Sequence, residues 1–158
     1  MKCRNEIDIN TICYVAGLFD GEGSIVIGVS KPSFKRDNKV PCHWLQVGIT
    51  NTNRELIDWL CNTFGGHISD NSHAPSRKFQ RACWQWRVMS LEGVFFLKII
   101  QPYTKIKKRQ IELAKEFQDN LVNLRSLTPD LKSKEIERRQ SLKEAISALT
   151  LGKHSLSN

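Results

Sequence analysis

The sequence predicts an α+β domain: four largely antiparallel strands with helices packed on one face. Two observations carry that prediction. Apolar residues alternate between helical spacing and period-two spacing along the chain, and the elements run helix–strand–strand twice before a helical finish.

Asp8 or Asn10 can cap a first helix whose Ile12, Val15, Ala16 and Phe19 follow helical spacing. It stops at Asp20-Gly21-Glu22-Gly23, and the β-branched run from Ser24 to Val29 reads as a strand. A turn with Pro32 and Asp37-Asn38 leads to a second strand, roughly Cys42 to Thr50. Thr52-Asn53-Arg54-Glu55 has the spacing of a capping box opening a helix with Leu56, Leu60 and Phe64 on one stripe, ended by Gly65-Gly66. A third strand (His67 to Asn71), a loop through Pro75 and a strictly alternating fourth strand (Arg81 to Ser90) follow. Leu91 to Ile100 is a short apolar helix stopped by Pro102. Thr104 is expected to begin a long helix with Leu113, Phe117, Leu121 and Leu124 in register. After Thr128-Pro129, a last amphipathic helix carries Leu142, Ala145, Ile146 and Leu149. No linker divides the chain, so 1–158 reads as one domain.

Composition narrows the function. At 40% hydrophobic and 25% charged, the chain is neither disordered nor fibrous. Its net charge of +8 favours a polyanionic partner. No apolar run approaches a membrane span, and no signal peptide is expected at Met1 to Asn10. The five cysteines (Cys3, Cys13, Cys42, Cys61, Cys83) never fall in C-x-x-C spacing, so reduced thiols inside a cell are the expectation.

Two helix ends carry charges of the disfavoured sign. Asp20 and Glu22 sit at a helix C-terminus, the negative end of its dipole, where a bound hard cation would reverse the local electrostatics. Lys105, Lys107, Lys108 and Arg109 sit in what reads as the first turn of another helix, with no acid between 98 and 111. Taken singly, each is an ordinary solvated patch. One phosphodiester with its metal would satisfy both.

The strand faces add readers. Ser24, Val26, Gly28 and Ser30 share one face of the first strand, Trp44, Gln46 and Gly48 one face of the second, and Arg81, Gln85 and Arg87 that of the fourth. Arg and Gln pair bidentately with guanine and adenine edges. Lys31, Lys35, Arg36 and Lys39 suit phosphates, whereas Trp84 and Trp86 fall on the apolar side and read as core.

Val15-Ala16-Gly17-Leu18-Phe19-Asp20-Gly21-Glu22-Gly23 resembles the LAGLIDADG signature of homing endonucleases, with Val15, Phe19 and Glu22 as conservative departures. Pro102 to Gln110 resembles the lysine-bearing helix start of the same family, and the likeness spans a core of 7–124, with 125–158 as a helical tail. The resemblance implies the αββαββα fold, with its four-stranded antiparallel sheet forming a saddle over the major groove of double-stranded DNA. It implies a single-motif homodimer whose signature helices pack side by side through Cys13, Ala16, Gly17 and Asp20. Glu22 matches the metal-binding catalytic acid, the Gly21 carbonyl an adjacent ligand, Lys107 the lysine near the scissile phosphate, and Asn51 a residue ordering catalytic waters. Ser69, Asn71, Arg77, Lys78, Lys105 and Lys108 join the DNA contacts on the same grounds. Mg²⁺ is the implied cofactor, with Mn²⁺ substituting and Ca²⁺ supporting binding without cleavage. An intron maturase of this fold, which would bind RNA, and a DNA-binding regulator that has lost cleavage are the alternatives.

Overall fold

The computed structural model describes residues 7–30, 41–71, 82–150 and 152. The elements, in order, are α1 (Ile9–Glu22), β1 (Gly23–Ser30), β2 (Cys42–Asn51), α2 (Arg54–Phe64), β3 (His67–Asp70), β4 (Trp84–Met89), α3 (Ser90–Ile100), α4 (Lys108–Asp119) and α5 (Pro129–Thr150). The fold is α+β, and its four strands form one open sheet in the order β1-β2-β4-β3, antiparallel at every pairing. Each helix–strand–strand half contributes one antiparallel pair, and β2 against β4 joins the halves.

The alternation read in the sequence sets the sheet's two faces. Ile25, Ile27, Leu45, Val47, Ile49, Trp86 and Val88 are all buried on one of them. Phe19, Phe64, Trp86 and Phe96 bring α1, α2, β4 and α3 together, with ring centroids 4.8 Å apart for Trp86 and Phe96 and 5.2 Å for Phe64 and Phe96. Trp86 Nε1 donates to the Gly65 carbonyl at 2.7 Å, so the indole is buried without an orphaned donor. Gly65 (φ 76°) and Gly66 (φ 92°) turn the chain there through backbone angles that disfavour any side chain.

Helix starts depart from expectation in two places. Asn53, not Thr52, caps α2, because its Oδ1 accepts from Leu56 N at 3.0 Å. The fourth helix begins at Lys108 rather than Thr104. Thr104 is still tied to α3, its hydroxyl donating to the Ile100 carbonyl at 2.9 Å. The N–H groups of 105–107 are drawn to an acid elsewhere in the chain, so those residues form a turn. At the other end α4 stops at Asp119, which leaves Leu121 outside the helix and 40% exposed, while Leu124 is buried from a single 3-10 turn.

Helix α5 buries Leu142 and Ile146, as its spacing predicts, and also Arg139, which is 3% exposed. Arg139 survives burial because Nε reaches Glu135 Oε1 at 2.7 Å and an NH2 group donates to the Val122 carbonyl at 2.6 Å. Arg138 shares the same carboxylate, Nε to Oε2 at 2.8 Å. The sequence reading missed this polar seam, because i,i+3 and i,i+4 charge pairs look like solvated surface until the docking partner is known. Hydrogen bonds from Arg138, and then from Arg139, hold Glu135 below its ordinary value of 4.5 against the opposing effect of burial. A depressed carboxylate stabilises the fold fully above its unfolded value and loses that contribution as pH falls through its folded value. Replacement of Glu135 by Ala should cost about 1.5–3 kcal/mol at neutral pH. The gap between wild type and variant should narrow as pH falls below 4.5 through the lowered folded value, as read by urea unfolding across pH.

Candidate functional site

The site is built at the last turn of α1. The chain passes from Glu22 into β1 at Gly23 with no intervening loop. Only glycine permits this, because a Cβ at position 23 would lie 2.4 Å from the Phe19 carbonyl oxygen. The passage fixes Glu22 at the sheet's edge, exposed. Asn51, at the end of β2, donates from Nδ2 to Glu22 Oε2 at 2.5 Å. Its Oδ1 accepts from Asn53 N at 2.7 Å, which leaves the amide nitrogen as the group facing the acid. Asn51 thus holds one oxygen of Glu22, and among the described residues no hydrogen bond engages the other.

Lys107 reaches the same helix end from 87 positions away, its Nζ donating to the Asp20 carbonyl at 2.6 Å. The Asp20 carboxylate accepts from three successive backbone groups: Lys105 N at 2.6 Å, then Ile106 N and Lys107 N, each at 3.1 Å. Burial pulls the Lys107 pKa below its ordinary 10.5, opposed by the charge of Asp20. Lys105 and Lys108 are exposed nearby. The two helix ends noted in the sequence therefore meet, and Asp20 partly neutralises the anomaly before any ligand arrives. Among the described residues no three carboxylate, imidazole or thiol groups cluster to hold a metal. Glu22 and the carbonyls beside it match a hard divalent cation in kind, but one chain offers too few of them.

Strand register gathers the expected readers on one face. Ser24 pairs with Gly48, Gly48 with Arg87, and Arg87 with His67. Val26, Gln46 and Met89 form the next row, and Gly28 with Trp44 and Ser30 with Cys42 continue it. Thr50, Gln85 and Ser69 align on the other side. His67 and Thr50 were missed by the sequence reading, although the same alternation, extended across the register, includes both. Val26 is 47% exposed, and the Trp44 indole lies over Gly28, where a Cβ would come within 2.3 Å of the ring.

Two expected contacts are corrected. Gly48 is buried: its missing side chain gives clearance, because a Cβ would stand 2.7 Å from the Trp86 carbonyl and 3.6 Å from Gln85 Nε2. The Ser69 hydroxyl is buried with no hydrogen-bond partner among the described residues, so it offers no contact from the open surface. Ser24 and Ser30 spend their hydroxyls on β2, at the Gly48 carbonyl and the Cys42 carbonyl. Asn71 follows β3, half-buried. Lys31, Lys35, Arg36, Lys39, Arg77, Lys78 and Arg81 lie outside the described residues.

On α1, Asn10, Cys13, Tyr14, Gly17 and Gly21 form a continuous exposed stripe at helical spacing. A Cβ at Gly17 or Gly21 would meet nothing within 4 Å. Ala16 is not on that stripe. It is fully buried against the chain's own core, one residue short of the exposed face. Asp20 is engaged within the chain, as described above.

An open antiparallel sheet carries the core helices on one face, and the end of the first helix joins Asp20 to Lys107. No protein-family model and no curated protein sequence matches the chain. Solved structures do match. The homing endonuclease I-CvuI, in complex with its target in the presence of 2 mM Ca, superposes with a TM-score of 0.71 at 14% identity, covering 89% of this chain and 82% of that one. I-CvuI is also known on the I-CreI target in the presence of 2 mM Mg, with the DNA not cleaved. The archaeal intron-encoded homing endonuclease I-Vdi141I, complexed with DNA, gives 0.64 at 20% identity, covering 85% and 83%. The LAGLIDADG homing endonuclease I-GzeII, in complex with its DNA target, gives 0.63 at 19% identity, covering 87% of this chain but 44% of its own. This chain has the LAGLIDADG homing-endonuclease fold, in a single copy of the unit.

The glycine geometry is testable. Gly48→Ala should lower unfolding free energy by about 1–3 kcal/mol, because the backbone of β4 must move. Gly21→Ala should leave the protomer's urea midpoint unchanged or raised.

Proposed function

We propose that this chain is a site-specific homing endonuclease that hydrolyses double-stranded DNA as a homodimer. The observation that carries the reading is that the last turn of α1 bears Glu22 and, through the Asp20 carbonyl, also receives the Lys107 ammonium. The fold, shared with endonucleases solved on DNA, supports it. A net charge of +8 suits a polyanion, and the open face offers Arg87, Gln85 and Gln46 to base edges in a groove.

Glu22, with the Gly21 carbonyl beside it, would hold a divalent cation through its free oxygen, and a second protomer and the DNA would supply the ligands one chain lacks. When bound, such an ion polarises the phosphate and acidifies a water. Mg²⁺ fits these hard oxygen donors, with Mn²⁺ as substitute and Ca²⁺ permitting binding alone. Asn51 orients Glu22, and Lys107 offsets charge developing on the phosphate. The products we expect are 5′-phosphates with short 3′ overhangs at a long pseudo-palindromic site. The backbone anchors and the base readers are separate, so charge and specificity can be altered independently.

Glu22→Gln should abolish cleavage of a duplex selected from a random library while retaining specific binding in Ca²⁺. Lys107→Met should slow cleavage by about a hundredfold or more with a smaller loss of affinity. Near-wild-type turnover of Glu22→Gln in a single-turnover assay would end the catalytic assignment.

A double-strand cut needs two scissile phosphates, and each chain has one Glu22. The open stripe of α1 admits a second α1 at close range through Gly17 and Gly21. Gly17 costs about 1 kcal/mol relative to Ala in a helix, which an unpartnered surface would not retain for any structural reason. Gly17→Leu should fold yet neither dimerise nor cut, as measured by sedimentation with and without DNA beside the cleavage assay. A fully active Gly17→Leu, or a monomeric wild type that cuts both strands, would overturn the dimer.

A further inference from the structure

Asp20 stands where the dipole of α1 disfavours an anion, yet each of its oxygens has a partner. Its two carboxylate oxygens take the backbone N–H groups of Lys105, Ile106 and Lys107, and its carbonyl takes the Lys107 ammonium at 2.6 Å. One residue thus grips both the backbone and the side chain of Lys107. We propose that Asp20 is a positioning residue, which fixes the Lys107 ammonium relative to Glu22 two residues further along the same helix end. The proposal rests on reading Lys107 as the cation that faces the scissile phosphate.

The arrangement does more than cap a helix. Lys105, Ile106 and Lys107 precede the first turn of α4, which starts at Lys108 with no side-chain cap, and their N–H groups take their acceptor from another element. A serine or asparagine at position 105 could satisfy part of that need locally. Drawing the acceptor from α1 instead ties the turn to the helix whose next residues are Gly21 and Glu22. Thr104 restrains the other side of the turn through the Ile100 carbonyl, which leaves Asp20 as the link that sets its distance from α1. Glu22 is directed toward Asn51 on β2, so the acid and the lysine engage different elements around one helix end.

The charges around Lys107 make the link measurable. Lys105 and Lys108 flank it in sequence and are exposed, Glu22 is engaged by Asn51, and Asp20 is the charged group whose field raises the Lys107 pKa against burial. Removing that charge should lower the pH at which the ammonium is lost, and with it the alkaline limb of the cleavage rate. A purely structural cap would change stability without moving that limb.

The experiment uses the full chain with Asp20→Asn, Asp20→Ala and Lys107→Met, alone and combined, on the selected duplex. Asp20→Ala should slow single-turnover cleavage by about ten- to a hundredfold, as misplacement of a catalytic group does, with affinity in Ca²⁺ little changed. Asp20→Asn, which keeps an acceptor oxygen, should restore part of the rate but keep the alkaline limb at lower pH. Asp20→Ala should add no loss in the Lys107→Met background. In parallel, the Lys107 ε-methylene signal should titrate at lower pH in Asp20→Asn than in wild type, by NMR without DNA. Additive losses, or an unmoved Lys107 titration, overturn the proposal. A wild type that leaves the duplex intact overturns the endonuclease reading instead, and the titration still decides whether Asp20 governs Lys107.

Discussion

The last turn of α1 is the constraint on which the other elements converge. Phe19 fixes it to the core, meeting the Phe96 ring at 5.7 Å. Gly23 passes the chain straight into β1, so the helix end and the sheet edge cannot move independently. Asp20 then attaches the turn before α4, and Glu22 attaches the end of β2 through Asn51. Three elements distant in sequence, together with β1 directly after α1, meet within five residues. Each attachment is made at a different position: the ring of Phe19, the carboxylate of Asp20, the carboxylate of Glu22 and the backbone at Gly23.

The node also resolves an electrostatic conflict. Acids at a helix C-terminus and lysines at a helix N-terminus are each unfavourable alone. Placed against one another they become mutually favourable, and the end of α1 is left with an exposed Glu22 carboxylate and a half-buried Lys107 ammonium held at Asp20. In the proposed endonuclease reading, a phosphate and a cation would complete that residual charge. The sheet above it is uncharged over much of its open face: Val26, Trp44 and Met89 lie among Gln46, Gln85 and Arg87. On a DNA groove, as proposed, such a face would offer apolar contact to thymine methyls and bidentate pairing to purines.

The tail follows different physics. Helix α5 covers the core with Leu142 and Ile146, but its seam is charged, with Arg139 buried against Glu135 and the Val122 carbonyl. Beneath it His43 is buried with Nδ1 unpartnered among the described residues, and burial, then the charges of Arg139 and Lys143, lower its pKa. Dry apolar packing would tolerate sliding of a helix. A hydrogen-bonded ion pair does not, because any shift strands a charge in a poorly solvated place.

The sequence by itself determined the elements and their faces. Period-two spacing in Ser24 to Val29 and Trp84 to Met89 fixed which residues could be core, since a shift of one would expose every Ile and Trp at once. Helical spacing did the same for Val15 and Phe19 on α1, and the nine-residue signature marked the helix end that carries Glu22. What the sequence left open was whatever depended on a distant partner. The start of α4 was legible only once Asp20 was seen to take the N–H groups of 105–107. The capping of α2 went to Asn53 over Thr52, with Asn53 Oδ1 accepting from Leu56 N while its own N–H donates to Asn51 Oδ1. Ala16 went to the core, and Gly17 and Gly21 to the open stripe, by a rotation of one residue that helical periodicity alone does not fix at a boundary. Local pattern decides which groups are apolar or paired with near neighbours. Tertiary structure decides where a hydrogen bond or a charge finds its partner, because those partners lie tens of residues away and the energy of each contact depends on an orientation that spacing does not encode.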